Sequence, residues 1–419
     1  MQKYQNPDPY QPDFWLPVAL LLLPVTMMLM PLVVNVDPNR ALFYIPLLVQ
    51  VLLVVIVFYA ALTGASRGRA GAVGKIWAVA VLMLVVLALY TTVFRAGDIA
   101  YSIDKLVDFG LIAALAYFVK NLFERSGKQL IDRSLRAIFC SVVLAVPVMA
   151  LMFYYRVPEH DLWPNFVPGF AHIRIYGFSL TIAIAIGTGL LALPQNQTIR
   201  FRLLILAGLL LLWTALFWSG SRGGIAAFIL VLPIMFLLFP KARKAILLSM
   251  LPLVIGAVLS TQFSTQSEAF GVFNSFKDTF EMDSVDKISS GRIHEWRFAL
   301  DTIANKPVFG HGFGQRLLLG GEDVRKQVHV HNIVLEVALA WGWLGATIAG
   351  VLIVSAWVAA LKKIRKIKRP EYVPAFFVIN VLLVYAWVDG VYMYYQATIP
   401  FAICVAVLWA RFDPDEQKA

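Results

Sequence analysis

The chain has 419 residues, 60% of them hydrophobic and only 15% charged, with a mean hydropathy of +0.74. A soluble domain has no use for that much apolar surface, so the composition excludes an ordinary soluble enzyme and indicates a multi-spanning membrane protein. The formal charge of +11 raises nucleic acid as a partner, but in such a chain basic residues are tested first against the positive-inside rule.

The N-terminus is polar and Pro-rich, with no basic stretch leading to a small-residue cleavage site, so no cleavable signal peptide is expected. Apolar runs long enough to span a ~30 Å hydrocarbon core recur from there on. They predict helices over 14–34, 41–62, 75–94, 105–123, 137–155, 174–193, 203–218, 224–239, 245–263, 332–361, 372–394 and 397–411. The predicted fold is an all-α integral membrane protein with about twelve transmembrane helices. Cys140 and Cys404 both fall in apolar runs and read as buried, unpaired thiols that say nothing of redox compartment.

The predicted organisation is a nine-helix part over 1–263, a long loop over 264–330 and three C-terminal helices over 331–419, all one integrated membrane domain. No repeat at solenoid spacing and no appended soluble domain is visible. The loop carries nine acidic and eight basic residues; connections this long are functional or disordered. Ile293, Trp296, Leu300 and Ile303 recur in it at helical spacing, predicting an amphipathic helix on the membrane surface or over a cavity as a lid.

With the N-terminus inside, most of the 36 Lys and Arg fall in short inner connections, ending with the Lys362–Arg369 run. The basic excess is therefore a topology signal, and nucleic acid drops away as a partner. Both termini are then cytoplasmic, and the long loop lies outside.

His331 and Asn332 stand at the outer start of the tenth helix. The positive helix end disfavours an imidazolium there, and a neutral imidazole is what a general base needs. Asn332 either bonds a substrate, orients the ring or caps the helix. His329 makes an H-x-H pair with His331, near His311, Glu322 and Asp323, but no helical ligand spacing supports a metal. Arg222, in W-S-G-S-R-G-G, sits at a helix start where three glycines allow close backbone approach, a setting for an anion such as phosphate or for a snorkelling interfacial arginine. Arg292 and Arg174 open helices in the same manner, each a cation opposing the dipole unless an anion binds. Asp389 falls near or inside the eleventh helix; an intramembrane carboxylate is either functional or paired with an arginine. The glycines of G-H-G-F-G at 310–314 suit a turn with positive φ better than a phosphate loop. Tyr154, Tyr155, Trp163 and Phe166 are either interfacial anchors or sugar contacts.

His331-Asn332, nine residues and then Gly342-Trp-Leu-Gly345 resembles the signature of bacterial O-antigen ligases, whose superfamily includes O-antigen polymerases and protein O-oligosaccharyltransferases. The S-R-G around Arg222, the S-G-R around Arg292, the G-x-G-x-G turn, twelve spans and one late outer loop extend the resemblance. It implies a GT-C-like membrane glycosyltransferase of the bacterial inner membrane with its active site facing the periplasm. O-antigen on undecaprenyl pyrophosphate would pass to a sugar hydroxyl of lipid A–core, with inversion, and with neither metal nor other cofactor. By that resemblance His331 deprotonates the acceptor while Arg222 and Arg292 meet the pyrophosphate. His329 departs from a minimal H-N motif and leaves open which histidine is the base. A polymerase would extend the lipid-linked chain instead. A transporter or flippase would place its sites near the midplane between internal repeats, whereas here the unusual polar residues gather at helix ends.

Overall fold

The structure, a computed structural model, describes residues 15–22, 72–156, 170, 172–193, 198–263, 271, 289, 291–320, 329–367 and 370–411. The predicted span at 41–62, the side chains of Tyr154, Tyr155, Trp163 and Phe166, and Glu322 and Asp323 lie outside it. Every regular element among the described residues is helical. Residues 15–22 are helical, followed by α1 (Ala72–Arg95), α2 (Ile99–Ser126), α3 (Lys128–Arg156), α4 (Ile173–Leu190), α5 (Ile199–Trp218), α6 (Arg222–Leu238) and α7 (Arg243–Ser260). The loop supplies α8 (Arg292–Asn305) and the single turn α9 (Arg316–Leu319), and the chain closes with α10 (Ile333–Ile367), α11 (Tyr372–Tyr385) and α12 (Tyr395–Trp409).

Seven of these helices, α1 to α5, α7 and α10, are long and apolar enough to cross a membrane, and α6, α11 and α12 are shorter apolar helices. All ten coincide with predicted spans. Apolar side chains face outward along them, among them Leu82, Phe94, Leu204, Leu237 and Val351, each at least 61% exposed. Chains that show this much aliphatic surface need lipid against it. The same reasoning corrects the reading of Cys140, which is exposed on α3 while Cys404 is buried on α12. An apolar run in a membrane protein can face lipid as well as its own core.

At the centre stand α4, buried along almost its whole length, and α11. They pack on each other, with α6 and α12 beside α11 and α5 and α3 beside α4. Small residues set these distances. A methyl at Gly177 would overlap Ser221, one at Gly223 or Gly224 would overlap Tyr385 or Thr181, and one at Gly189 would overlap the Pro374 backbone. The sequence reading gave the glycines around Arg222 to a ligand. The structure gives Gly223 and Gly224 to helix packing, because with no hydrophobic drive between helices in lipid, close backbone approach supplies the contact energy.

Two further corrections concern the helices that carry the site. The eleventh helix was expected to reach residue 394 but ends at Tyr385. Its last carbonyls are taken by the start of α10: Ile333 N–H donates to Ala386 O at 2.9 Å and the Asn332 side-chain amide donates to Trp387 O at 3.1 Å. The two helix ends satisfy each other's orphan groups, which lets the non-helical stretch carrying Asp389 follow. The second concerns α10, which at 35 residues would run about 52 Å if straight. It breaks at Gly342, whose φ of 67° and ψ of −178° are non-helical. At the break the carbonyls of Leu339 and Ala340 accept from His311 and Gly312, and Trp343 donates to Pro307 O, all within 2.9 Å. The 310–314 turn has its expected positive φ values at Gly310, Gly312 and Gly314, and its office is to plug the opened helix.

The amphipathic helix of the loop exists as α8. It lays Trp296, Ala299 and Ile303 on Val330, Ala338 and Leu339 at the start of α10, while Leu300 faces outward. Beneath it Arg316 is fully buried, donating from Nε to Glu295 at 3.1 Å and stacking on the Phe298 ring.

Candidate active site

Of the non-glycine residues described, His331 alone has positive φ, at 58°. Left-handed backbone costs a non-glycine residue roughly 1–3 kcal/mol and persists where the surroundings over-determine it. They do so here. The Val330 N–H before it donates to the buried Glu336 carboxylate at 2.8 Å. Asn332 after it caps α10, its Oδ1 accepting from the Val334 and Leu335 N–H groups at 3.0 and 3.1 Å. With its amide also on Trp387 O, Asn332 is occupied on both sides by backbone. That is the capping alternative of the sequence reading, and it fixes where His331 points.

The His331 ring meets Asp389 at 3.1 Å from Nδ1 to Oδ1. A carboxylate accepts, so Nδ1 carries the proton, and in the neutral ring the lone pair lies on Nε2. Nε2 has no protein partner among the described residues. Asp389 in turn accepts from Arg292 Nη2 at Oδ2, 3.1 Å, and from Gly390 N–H at Oδ1, 2.8 Å. Burial alone would raise the Asp389 carboxyl; the bond to His331 and the charges of Arg292 and Arg174 outweigh it and hold it well below the usual carboxylate range. Asp389 is therefore an anion that both orients the histidine and anchors the arginine, joining the two alternatives the sequence left open.

His329 lies against His331 edge to face, ring centroids 4.2 Å apart, with Nε2 3.1 Å from the Tyr394 hydroxyl. Burial, then the His331 ring, push it down to about 3. A methyl at Gly390 would overlap its ring, so the glycine after Asp389 makes room for the histidine pair. His311 is elsewhere, its Nε2 on Thr302 O at the end of α8. Among the described residues no group of three or more His, Cys, Asp or Glu side chains is placed to hold a metal ion.

The arginines come from separate elements. Arg292 opens α8 behind Gly291, whose φ of 80° turns the chain; its Nε is buried without a partner. Arg174, in the first turn of α4, lies within electrostatic reach of Asp389, His329 and Tyr385. Arg222 opens α6 beside Ser221, whose hydroxyl is 2.9 Å from that of Tyr385. Tyr385 ends α11 and its carbonyl accepts from the Asp389 N–H at 3.0 Å. The starts of α4, α6, α8 and α10 and the end of α11 thus gather at one end of the bundle, around a histidine–carboxylate pair and Arg292, whose Nε has no partner among the described residues.

Residues 207–350 match the family model described as O-antigen ligase. Over those residues the chain is similar to the O-antigen ligase family. The O-antigen ligase match runs from within α5 to beyond the Gly342 break, and so takes in Arg222, Arg292 and His331. Arg174 and Asp389 lie on either side of it and reach the same site only through the fold. The match covers less than half of the chain; beside it stand seven helices long and apolar enough to cross a membrane. No curated protein matches the chain.

Sequence reasoning missed five residues around this site: His172, Tyr385, Glu336, Glu295 and Arg316. Only His172 had a local signal, a side-chain acceptor immediately before a helix.

Proposed function

We propose that this protein is an O-antigen ligase, transferring O-antigen polysaccharide from undecaprenyl pyrophosphate to a sugar hydroxyl of lipid A–core at the periplasmic face of the inner membrane. The observation that carries the reading is the continuous chain Arg292–Asp389–His331. It joins an anion-binding donor to a base through one carboxylate.

The acceptor hydroxyl lies against Nε2 of His331. As its oxygen attacks the anomeric carbon, Nε2 takes the proton and the imidazolium is stabilised by Asp389. The new C–O bond forms as the bond from the anomeric carbon to the phosphate oxygen breaks, from the opposite side, so the configuration inverts. The electron pair leaves with the diphosphate, whose growing charge is met by Arg292, Arg174 and Arg222 and by the helix starts that bear them. The proton on His331 then passes to water. His331 is the base and His329 its buried neighbour: one ring stands on a carboxylate with Nε2 unpartnered, and the other is sealed against Tyr394 and Gly390. Arg292, Arg174 and Arg222 bind the pyrophosphate, while Asn332 acts by capping.

In cells, His331→Ala should leave lipid A–core without O-antigen at an unchanged protein level. Fully modified lipopolysaccharide from a well-expressed variant would end the proposal. Purified protein given lipid-linked O-antigen separates ligase from polymerase, because a ligase yields product only when lipid A–core is added.

A further inference from the structure

His172 has no part in the chemistry above, yet it lies at the same end of α4 as Arg174 and within electrostatic reach of both Asp389 and His331. It is the N-cap of α4, and its Nδ1 accepts from the Arg174 backbone N–H at 3.0 Å. A backbone N–H can only donate, so Nδ1 is unprotonated and the ring proton is fixed on Nε2. Nε2 has no partner among the described residues. Burial, then the charge of Arg174, push His172 down to about 4, so near neutral pH the ring is an uncharged donor and not a second cation.

The neighbours decide what such a donor meets. Arg174 offers donors alone, Arg292 has an Nε unpartnered among the described residues, and the carboxylate that His172 senses among those residues, Asp389, is taken by His331, Arg292 and Gly390. A sugar hydroxyl needs an acceptor as well as a donor; an oxyanion needs donors only. We propose that His172 is a substrate-contacting residue whose Nε2–H donates to a phosphate oxygen of the lipid-linked diphosphate, beside Arg174. The assignment rests on the ligase reading for the identity of the anion. No proton moves in this contact. The diphosphate departs as the anion, and the same hydrogen bond persists after the glycosidic bond has broken.

Two substitutions divide the cap from the contact. His172→Asn keeps a side-chain acceptor for the Arg174 N–H, asparagine being a strong N-cap, and removes Nε2–H. His172→Gln keeps a donor at about the reach of Nε2 and gives up the cap. Binding of undecaprenyl pyrophosphate to the purified full chain in detergent is measured together with thermal unfolding. A hydrogen bond to a charged group predicts on the order of tenfold weaker binding for His172→Asn with an unchanged melting temperature. His172→Gln should bind within about threefold of wild type and melt lower, as loss of a cap predicts. Wild-type affinity in His172→Asn, or equal loss of affinity in both variants, would overturn the contact, as would a His172→Asn protein that melts lower than His172→Gln. Arg292→Ala is the control for the parent reading. If it weakens binding while His172→Asn does not, only the role of His172 fails. If Arg292→Ala also binds normally, the diphosphate site itself is wrong.

Discussion

The two ends of the helix bundle handle charge in opposite ways. At the end away from His331, Lys363 donates to the Leu408 and Ala410 carbonyls, both at 2.6 Å, where α12 runs out. A cation there meets the negative helix end and orphan carbonyls at once. Nearby, Arg136 is paired with Asp132 and covers the Phe201 ring, and Lys120 is paired with Glu124. At the His331 end, Arg174, Arg222 and Arg292 each open a helix, where the dipole opposes them. One buried carboxylate serves both Arg292 and a histidine held in left-handed backbone. The first arrangement resolves its electrostatics within the protein. The second sets cations at positive helix ends, the setting in which the proposed function places the diphosphate, and that contrast marks the site more sharply than the number of charges does.

The most severe way to break the contrast is Asp389→Asn, which keeps the shape but removes the charge that orients His331 and holds Arg292. Turnover should fall by about three orders of magnitude or more, with KM for the acceptor moving far less, in initial-rate measurements on reconstituted protein. A variant that keeps its turnover would show that the carboxylate only supports the fold.

Next in size is Gly342→Ala. The added methyl would overlap the Val308 backbone at a φ that disfavours any side chain, so neither steric relief nor repacking is at hand. Destabilisation of more than about 2 kcal/mol is expected, seen as a lower melting temperature in detergent, with activity lost because the 307–312 segment cannot dock.

Acid should then loosen the site end before the other. His172 and His329 are neutral in the fold with values pushed down to about 4 and about 3, while an unfolded histidine titrates near 6.5. Where the unfolded state binds more protons, stability falls as pH falls, so it should drop as pH is lowered from about 6.5 towards 4. Asp389, held below the usual carboxylate range, adds its own loss at still lower pH, as it is protonated. Hydrogen exchange at pH 7 and pH 4.5 should show protection lost around 329–333 and 172–176 while 405–410 keeps its own.

The smallest effect belongs to the quiet end. Lys363→Met should cost about 1 kcal/mol of stability or less and leave transfer activity within about twofold. A large loss of activity there would show that the two ends are coupled.

What the sequence allowed to be read follows the range of the forces involved. Spans were legible because apolar runs are local, and α1 to α7 lie where predicted. The end of α11 was not, since Ala386, Trp387 and Val388 continue its apolar run, and it is pairing of the Ala386 and Trp387 carbonyls with Ile333 and Asn332 that marks the end. Arg292, Arg174, Asp389 and His331 were individually conspicuous as charged or titratable groups beside apolar runs. Their order was not, because Asp389 meets Arg292 across 97 residues and His331 across 58. The Glu295–Arg316 pair had no signal, two ordinary charges in a loop rich in both signs. The nine residues between His331-Asn332 and Gly342 acquire a physical meaning here: they are two and a half turns between a capped start and a forced break.

That break also separates mechanical tasks. Beyond Gly342, residues 343–367 are long enough to follow the bilayer by tilting when its thickness changes. Residues 333–341 are pinned by α8, by the 307–312 segment and by the end of α11. A straight helix would carry each adjustment of tilt directly into the His331–Asp389 geometry. The jointed one absorbs it at a single residue, so His331 should keep its aim in lipids of different chain length.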